Sequence, residues 1–317
     1  MEALFERVFV ETTVDTDQDG QYDLIAVYIK RPKLDEKVPA VFVANPYMLH
    51  CNEDWYDLYD VNTNIQAYPS QNIQREDVTF HPKDPVVCPK KEAEQIVESS
   101  PYPEPDPSAY ECISDLYGHL LERGYAGVFS GGLGTRGSDG LTMTGSEEEI
   151  LAFKSVIDWL NGRARAFRDK TRTVQVLASW CTGSVAMSAR SYLGTMCIGV
   201  AATGVEGLKT ILPEAGISNW YEYYRHNGLT LPAMDWQGDD LDILAKYCFS
   251  RALDSNDFAS IKPLFEKNQM TLQEGEDRQS GNYNRFWDER NYLQHADRIQ
   301  ASVFLSLIHI SEPTRRS

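Results

Sequence analysis

The sequence of 317 residues has no apolar run approaching the ~18 residues that a membrane span requires. Its first residues, MEALFER, lack the apolar core of a secretion signal, so no targeting segment is expected. Basic residues are also few, with 30 Lys and Arg against 47 Asp and Glu and a formal net charge of −17. Because so acidic a surface repels phosphate groups, neither nucleic acid nor membrane is expected as a partner. The sequence carries no signal for or against an oligomer.

Cysteines at metal-ligand spacing are lacking as well, although the chain has six cysteines. Scattered cysteines in a chain of this length are typical of reduced, mostly buried thiols rather than of a disulfide framework. The aromatic content of 11% excludes disorder as the main state. Together these features predict a globular, cytoplasmic protein with a substantial core.

Runs typical of β-strands alternate with helical patterns along most of the chain, which predicts an α/β fold with a parallel sheet. β-rich runs that start at Arg7 and Tyr22 have Asp and Gly between them, so we expect a hairpin there. Ser146 and Glu149 have the spacing of a capping box at the start of a helix that Gly162 ends. The other predicted strands are 38–47, 125–132, 173–180 and 184–188, and the other predicted helices are 108–124 and 192–204.

The predicted hairpin turn at 15–20, DTDQDG, imitates the start of an EF-hand calcium loop. The twelfth position of such a loop should be a bidentate Glu, but Ala26 stands there and no helices flank the segment. The pattern therefore favours an ordinary hairpin turn and leaves a weak cation site as the alternative.

A short strand that runs directly into Ser191 and then into a small-residue helix has the layout of a nucleophile elbow, G-x-S-x-G. Ala189 takes the place of the first glycine and keeps most of the clearance that the strained turn needs. The N–H of Tyr192 would then lie at a helix N-terminus and point at a developing oxyanion. The alternative is a serine that only caps a helix after a strand.

Several longer blocks resemble the Xaa-Pro dipeptidyl-peptidases, which are serine peptidases of the α/β-hydrolase class. The resemblance covers most of residues 7–304. It implies an α/β-hydrolase domain over 1–304, incomplete at its C-terminal end, with a helical cap-like region at about 206–290 after the nucleophile helix. The blocks are GTRGSDG (134–140), VIDWLNGRARAF (156–167), SARSYLGTM (188–196), the run 203–229 and FWDERNYL (286–293).

The implied activity is release of Xaa-Pro dipeptides from proline-containing peptides with a free N-terminus, through an acyl-enzyme on Ser191 and without metal or cofactor. Tyr47 is implied to donate to the oxyanion beside the Tyr192 amide, or else to be a wall residue of the pocket. Trp220 and Tyr223 are implied to contact the substrate proline, because aromatic faces suit a flat, stiff ring. Core packing is the alternative for both.

Asp239 aligns with the position at which the family usually has a Glu that binds the α-ammonium of the substrate. Trp236, in the same block, is also implied to lie at the substrate. The alternative is that Asp239, Asp240 and Asp242 form a solvated acidic face. An esterase or amidase of the same superfamily is a second interpretation of the elbow.

In α/β-hydrolases the acid and then the histidine follow the serine along the chain. The run 299–305 resembles the start of the strand after which the family has its Asp. Residues 305–317 instead resemble translated sequencing-adapter DNA, so we expect a non-native read-through tail in which His309 has no catalytic meaning. On that expectation the triad Asp and His are absent, and the chain is an inactive catalytic-domain fragment.

Overall fold

The computed structural model describes residues 2–48, 50–52, 57–64, 72–103, 114–230 and 237–307. Within these residues ten strands form one mixed sheet. The strands are β1 (Ala3–Glu11), β2 (Leu24–Pro32), β3 (Val38–Ala44), β4 (Gln95–Val97), β5 (Ala126–Ser130), β6 (Ala166–Phe167), β7 (Val174–Val176), β8 (Cys181–Arg190), β9 (Leu208–Glu214) and β10 (Ser302–Val303).

Helices pack on the sheet, and four of the eight helices in the described residues follow β9. The helices are α1 (Arg75–Val78), α2 (Ser114–Leu121), α3 (Glu147–Leu160), α4 (Tyr192–Ala202), α5 (Trp220–Tyr224), α6 (Leu241–Cys248), α7 (Ser255–Glu276) and α8 (Arg285–Glu289). Short 3-10 segments lie at His226–Gly228, Ser250–Leu253 and Tyr292–Arg298. No helix in the described ranges is long and apolar enough to cross a membrane.

The order of the strands identifies the fold. From one edge to the other it is β10-β9-β8-β3-β5-β2-β1-β6-β7-β4. β1 and β2 form the predicted antiparallel hairpin, and β2 pairs antiparallel with β5. β5, β3, β8, β9 and β10 then pair in parallel, with the candidate nucleophile directly after β8. This arrangement is that of an α/β-hydrolase, so the predicted fold class is confirmed.

The core lies where helices α3 and α4 pack on the sheet. Ile150, Phe153, Ile157 and Leu160 recur at helical spacing in α3, and each is at most 5% exposed. Burial of such a side chain stabilises the fold by about 1.5–3 kcal/mol. The ring of Phe153 lies 6.2 Å from that of Phe42 in β3, which joins α3 to the centre of the sheet.

Two boundaries predicted from the sequence are wrong. The predicted strand 173–180 contains only the short β7, whereas β8 starts at Cys181 and has 10 residues, including the polar segment Thr182–Ser184. β8 starts early because Cys181 pairs with Val38 of β3, and the polar segment bulges before regular pairing with β3 and β9 begins at Val185. The helical region predicted at 206–290 begins too early, since Leu208–Glu214 is a sheet strand and the helices start at Trp220.

Candidate active site

Ser191 occupies the sharp turn between β8 and α4. Its φ of 61° and ψ of −130° lie in a region that side-chain-bearing residues rarely adopt. The turn is fixed on both sides, because the Ser191 N–H donates to Glu214 O at 2.9 Å and Thr195 N–H donates to Ser191 O at 2.9 Å. The side chain makes no capping hydrogen bond to α4, and the residue is exposed. The alternative of a helix-capping serine is therefore wrong.

The glycine that this turn requires is not where the G-x-S-x-G pattern puts it. The residue two positions after Ser191 is Leu193, and the glycine follows as Gly194. A Cβ at Gly194 would lie 2.9 Å from Ala189 O and 3.0 Å from Glu214 O. Close contact between α4 and the ends of β8 and β9 therefore selects glycine at that position.

Tyr192 is anchored by a buried carboxylate that the sequence analysis had assigned only to a capping box. Its hydroxyl donates to both oxygens of Glu149, at 2.8 and 3.0 Å, and Gly145 N–H donates to Glu149 Oε2 at 2.6 Å. Burial raises the pKa of the Glu149 carboxyl. Half of the predicted capping box is present, since Ser146 Oγ accepts from Glu149 N–H at 3.2 Å. The expected return bond from the Glu149 side chain is replaced by the bonds to Gly145 and Tyr192.

Tyr47 follows the end of β3, and its ring meets that of Tyr192 edge-on. The ring centroids are 5.7 Å apart and the planes are inclined at 79°. Burial raises the pKa of Tyr47 well above its usual value. The hydroxyl therefore stays protonated at neutral pH, in the state that can donate a hydrogen bond. The structure thus brings the side chains of Tyr47 and Tyr192 into contact, and their role as oxyanion donors stays a prediction.

The aromatic cluster of α5 also contacts the ring of Tyr192. Trp220 is fully buried, lies 5.2 Å from the Tyr192 ring and donates from Nε1 to the Tyr292 hydroxyl at 3.1 Å. Tyr223 is 42% exposed and packs on Trp220 at 6.3 Å. The geometry favours core packing for Trp220 and leaves Tyr223 as the aromatic surface open to a ligand. Trp236, also predicted at the substrate, lies outside the described residues.

Asp239 belongs to the same cluster. Asp239 is 5% exposed, and its Oδ2 accepts a hydrogen bond from the Tyr224 hydroxyl at 3.3 Å. Burial, followed by the charge of Asp239, raises the pKa of Tyr223. The ring of Tyr224, whose hydroxyl donates to Asp239, lies 4.9 Å from the ring of Tyr223, so the predicted carboxylate lies near the predicted aromatic surface. The alternative of a solvated acidic face is wrong for this residue.

The carboxylates next to Asp239 are buried too, and each has partners from distant parts of the chain. Asp240 pairs with Arg225 at 2.7 Å and with Arg278 at 2.5 Å. Asp242 accepts from the Tyr59 hydroxyl at 3.0 Å and from Gln273 at 2.9 Å. The acidic face that the sequence left open is therefore an internal network.

No triad partner for Ser191 is found in the described part of the chain. The histidines there are all exposed, and no hydrogen bond joins any of them to Ser191. β10 is present where the strand before the acid was predicted, parallel to β9. The described histidines are His50, His81, His119, His226 and His295. His309 lies outside the described residues.

The model of the family described as X-Pro dipeptidyl-peptidase (S15 family) matches residues 19–307. This chain belongs to that family. Its relatives include proteins named Xaa-Pro dipeptidyl-peptidase from Lactobacillus helveticus and Streptococcus sanguinis, which are 43% and 41% identical to it. The first alignment covers 94% of this chain and 37% of the relative, and the second covers 95% and 39%.

The chain therefore spans less than two fifths of the length of these relatives. Among solved structures, a CocE/NonD family hydrolase from Staphylococcus aureus matches at 17% identity with a TM-score of 0.46, over 95% of this chain and 43% of that chain. An alpha-amino acid ester hydrolase matches at 17% identity with a TM-score of 0.44, over 96% of this chain and 42% of that chain.

Proposed function

We propose that the protein is a serine exopeptidase that releases Xaa-Pro dipeptides from the N-terminus of peptides. The observation that carries the proposal is the elbow at Ser191, with its exposed side chain and its φ of 61°. Ser191 Oγ attacks the carbonyl carbon of the substrate proline, the bond from that carbon to the next nitrogen breaks, the amine leaves with the proton that the serine gives up, and water hydrolyses the resulting acyl-enzyme. Membership of the S15 family supports this reaction rather than that of an esterase or amidase.

Two groups would stabilise the oxyanion formed in that attack. Tyr192 is the first residue of α4, so its N–H has no acceptor within the helix. The protonated Tyr47 hydroxyl is the second donor, held by the contact between the two rings. Loss of one such donor typically costs about 3 kcal/mol of transition-state stabilisation.

The substrate proline would pack on the exposed face of Tyr223, with Trp220 behind it. The edge-on contact between these two rings fixes the orientation of Tyr223. A flat aliphatic ring gains contact area on a stiff aromatic face at little cost in conformational entropy. We keep Trp236 as a further candidate on this side of the pocket.

Asp239 would bind the free α-ammonium of the substrate. This contact would fix the substrate N-terminus, so that the bond after the second residue lies at Ser191. A cleft of about 610 Å³ opens beside this carboxylate. Its lining includes Tyr59, Thr230, Gly238, Gln273 and Arg278. The proposal places the first residue of the substrate in this cleft. We expect the protein to work in the cytoplasm, as its scattered cysteines suggest.

Hydrolysis of Ala-Pro-p-nitroanilide tests the proposed nucleophile. If the 317-residue chain releases p-nitroaniline, the proposal predicts that Ser191→Ala abolishes the release, whereas release unchanged in Ser191→Ala would contradict it. Asp239→Asn should raise the KM for this substrate at least tenfold. A substrate that is acetylated on its α-amino group should be hydrolysed equally poorly by Asp239→Asn and by the unchanged protein.

If the 317-residue chain binds the dipeptide Ala-Pro but hydrolyses nothing, the expectation that its triad Asp and His are absent is supported. Hydrolysis would refute that expectation.

A further inference from the structure

The turn between β1 and β2 gathers the carboxylates of Asp15, Asp17 and Asp19. One oxygen atom of each lies within 4.8 Å of the corresponding atoms of the other two. Calcium binds oxygen ligands at about 2.3–2.6 Å, so ligand atoms on opposite sides of one ion are about 4.8 Å apart. The three carboxylates therefore lie close to the spacing at which one ion contacts all of them.

A second observation comes from carboxylate oxygens that are buried without a donor. The Asp17 side chain is 6% exposed, and its Oδ2 accepts from Arg251 Nη1 at 2.7 Å and from Gly140 N–H at 3.2 Å. Its Oδ1 is removed from solvent, and no hydrogen-bond donor reaches it in the described structure. Such a buried, unsatisfied acceptor costs about 1–3 kcal/mol, and more when it is charged.

Asp23 repeats this arrangement directly beside the turn. It is 2% exposed, and its Oδ2 accepts from Thr16 N–H at 2.8 Å and from Thr16 Oγ1 at 2.7 Å. Its Oδ1 is likewise buried, with no donor among the described residues. Thr16 stands between Asp15 and Asp17 in the chain, so the unsatisfied oxygens belong to one small region.

We propose that this turn binds one calcium ion through Asp15, Asp17 and Asp19. The donors are carboxylate oxygens, which are hard ligands that calcium prefers. Arg251 pairs with only one oxygen of Asp17, so it does not satisfy the negative charge of the turn. The sequence analysis favoured a plain turn because Ala26 replaces the Glu of an EF-hand. The buried oxygens of Asp17 and Asp23 supply the argument that the sequence did not.

The ion would also stabilise the contacts of this turn with two other segments. Arg251 pairs with Asp257 in α7 at 2.7 Å as well as with Asp17. It donates from Nη1 to Gly140 O at 3.1 Å. Calcium bound at Asp17 would therefore fix the turn against the loop that contains Gly140 and against α7. The inference does not depend on the proposed peptidase activity.

Isothermal titration of the chelator-treated, full 317-residue chain with CaCl2 tests the site. We expect one saturable site with a Kd at or below about 1 mM, the weak end of the range for calcium loops. We also expect an increase in Tm with calcium. Asp19→Asn should weaken binding at least tenfold, because its carboxylate is exposed and has no part in the ion pair with Arg251. Asp35→Asn, an exposed carboxylate in another turn, is the matched control and should leave Kd unchanged.

Three results would overturn the proposal. The first is the absence of both heat and Tm change at 10-fold above that Kd, about 10 mM calcium. The second is equal calcium affinity of Asp19→Asn and Asp35→Asn. The third is binding of magnesium as tight as that of calcium, which would reject the calcium assignment.

Discussion

The bond between Tyr192 and Glu149 should contribute to stability in a way that depends on pH. Tyr192→Phe removes only the hydroxyl that donates to the two Glu149 oxygens at 2.8 and 3.0 Å. The phenyl ring keeps its edge-on contacts with Tyr47 and Trp220. The variant therefore isolates the hydrogen bond from the packing.

The expected loss is about 2 kcal/mol in the free energy of unfolding, because hydrogen bonds to charged groups contribute about 1.5–3 kcal/mol. Burial raises the pKa of Glu149 above 4.5, and the bond from Tyr192 opposes this increase. The variant should therefore raise that pKa further. A group whose pKa is raised in the folded state makes the fold less stable as pH rises from its unfolded pKa through its folded pKa. The loss in Tyr192→Phe should thus be larger at pH 8 than at pH 5.

Urea unfolding followed by circular dichroism at pH 5 and pH 8 measures both quantities. Tyr125→Phe is the control, since Tyr125 is 38% exposed and its loss should change stability by less than about 0.5 kcal/mol. A Tyr192→Phe protein as stable as this control at both pH values would refute the reasoning.

Three further predictions concern backbone strain and buried charge. Gly194→Ala should lower the free energy of unfolding by about 1–3 kcal/mol, because its Cβ would lie 2.9 Å from Ala189 O. Gly118→Ala is the control, since no atom lies within 4 Å of its Cβ, and thermal unfolding compares the two variants. Ser191→Gly should be more stable than Ser191→Ala by about 1–3 kcal/mol, because glycine tolerates the φ of 61°, and calorimetry tests this. Burial and nearby carboxylates raise the pKa of Glu276 well above its usual value, so ionisation of this carboxyl should lower the free energy of unfolding as pH rises from 5 to 8. Glu276→Gln should remove this loss, and urea titrations at the two pH values test it.

The hairpin, helix α3 and the elbow could be predicted because their signals are local. The apolar positions of α3 repeat at helical spacing, and Gly162 marks its end. Ser191 stands between an apolar strand and a helix of small residues, which is the pattern of an elbow. The length of β8 could not be predicted, because its start depends on the pairing of Cys181 with Val38 in the distant β3.

The surroundings of Asp239 show why the site was only partly predictable. A run of closely spaced acidic residues is typical of a solvated surface. Here Arg225 and Arg278, both distant along the chain, pair with Asp240 and make its burial possible. The role of Glu149 was missed for the same reason, since Tyr192 lies 43 residues further along the chain. Contacts between distant residues leave no local pattern in one sequence.

Calorimetric titration of the 317-residue chain with Ala-Pro and with Ala-Ala tests the central claim most directly, because binding does not require the triad Asp and His. The account predicts that Ala-Pro binds at least tenfold more tightly than Ala-Ala, and that Tyr223→Ala removes this difference. Equal affinity for the two dipeptides, or no binding of Ala-Pro, would contradict the proposed Xaa-Pro specificity.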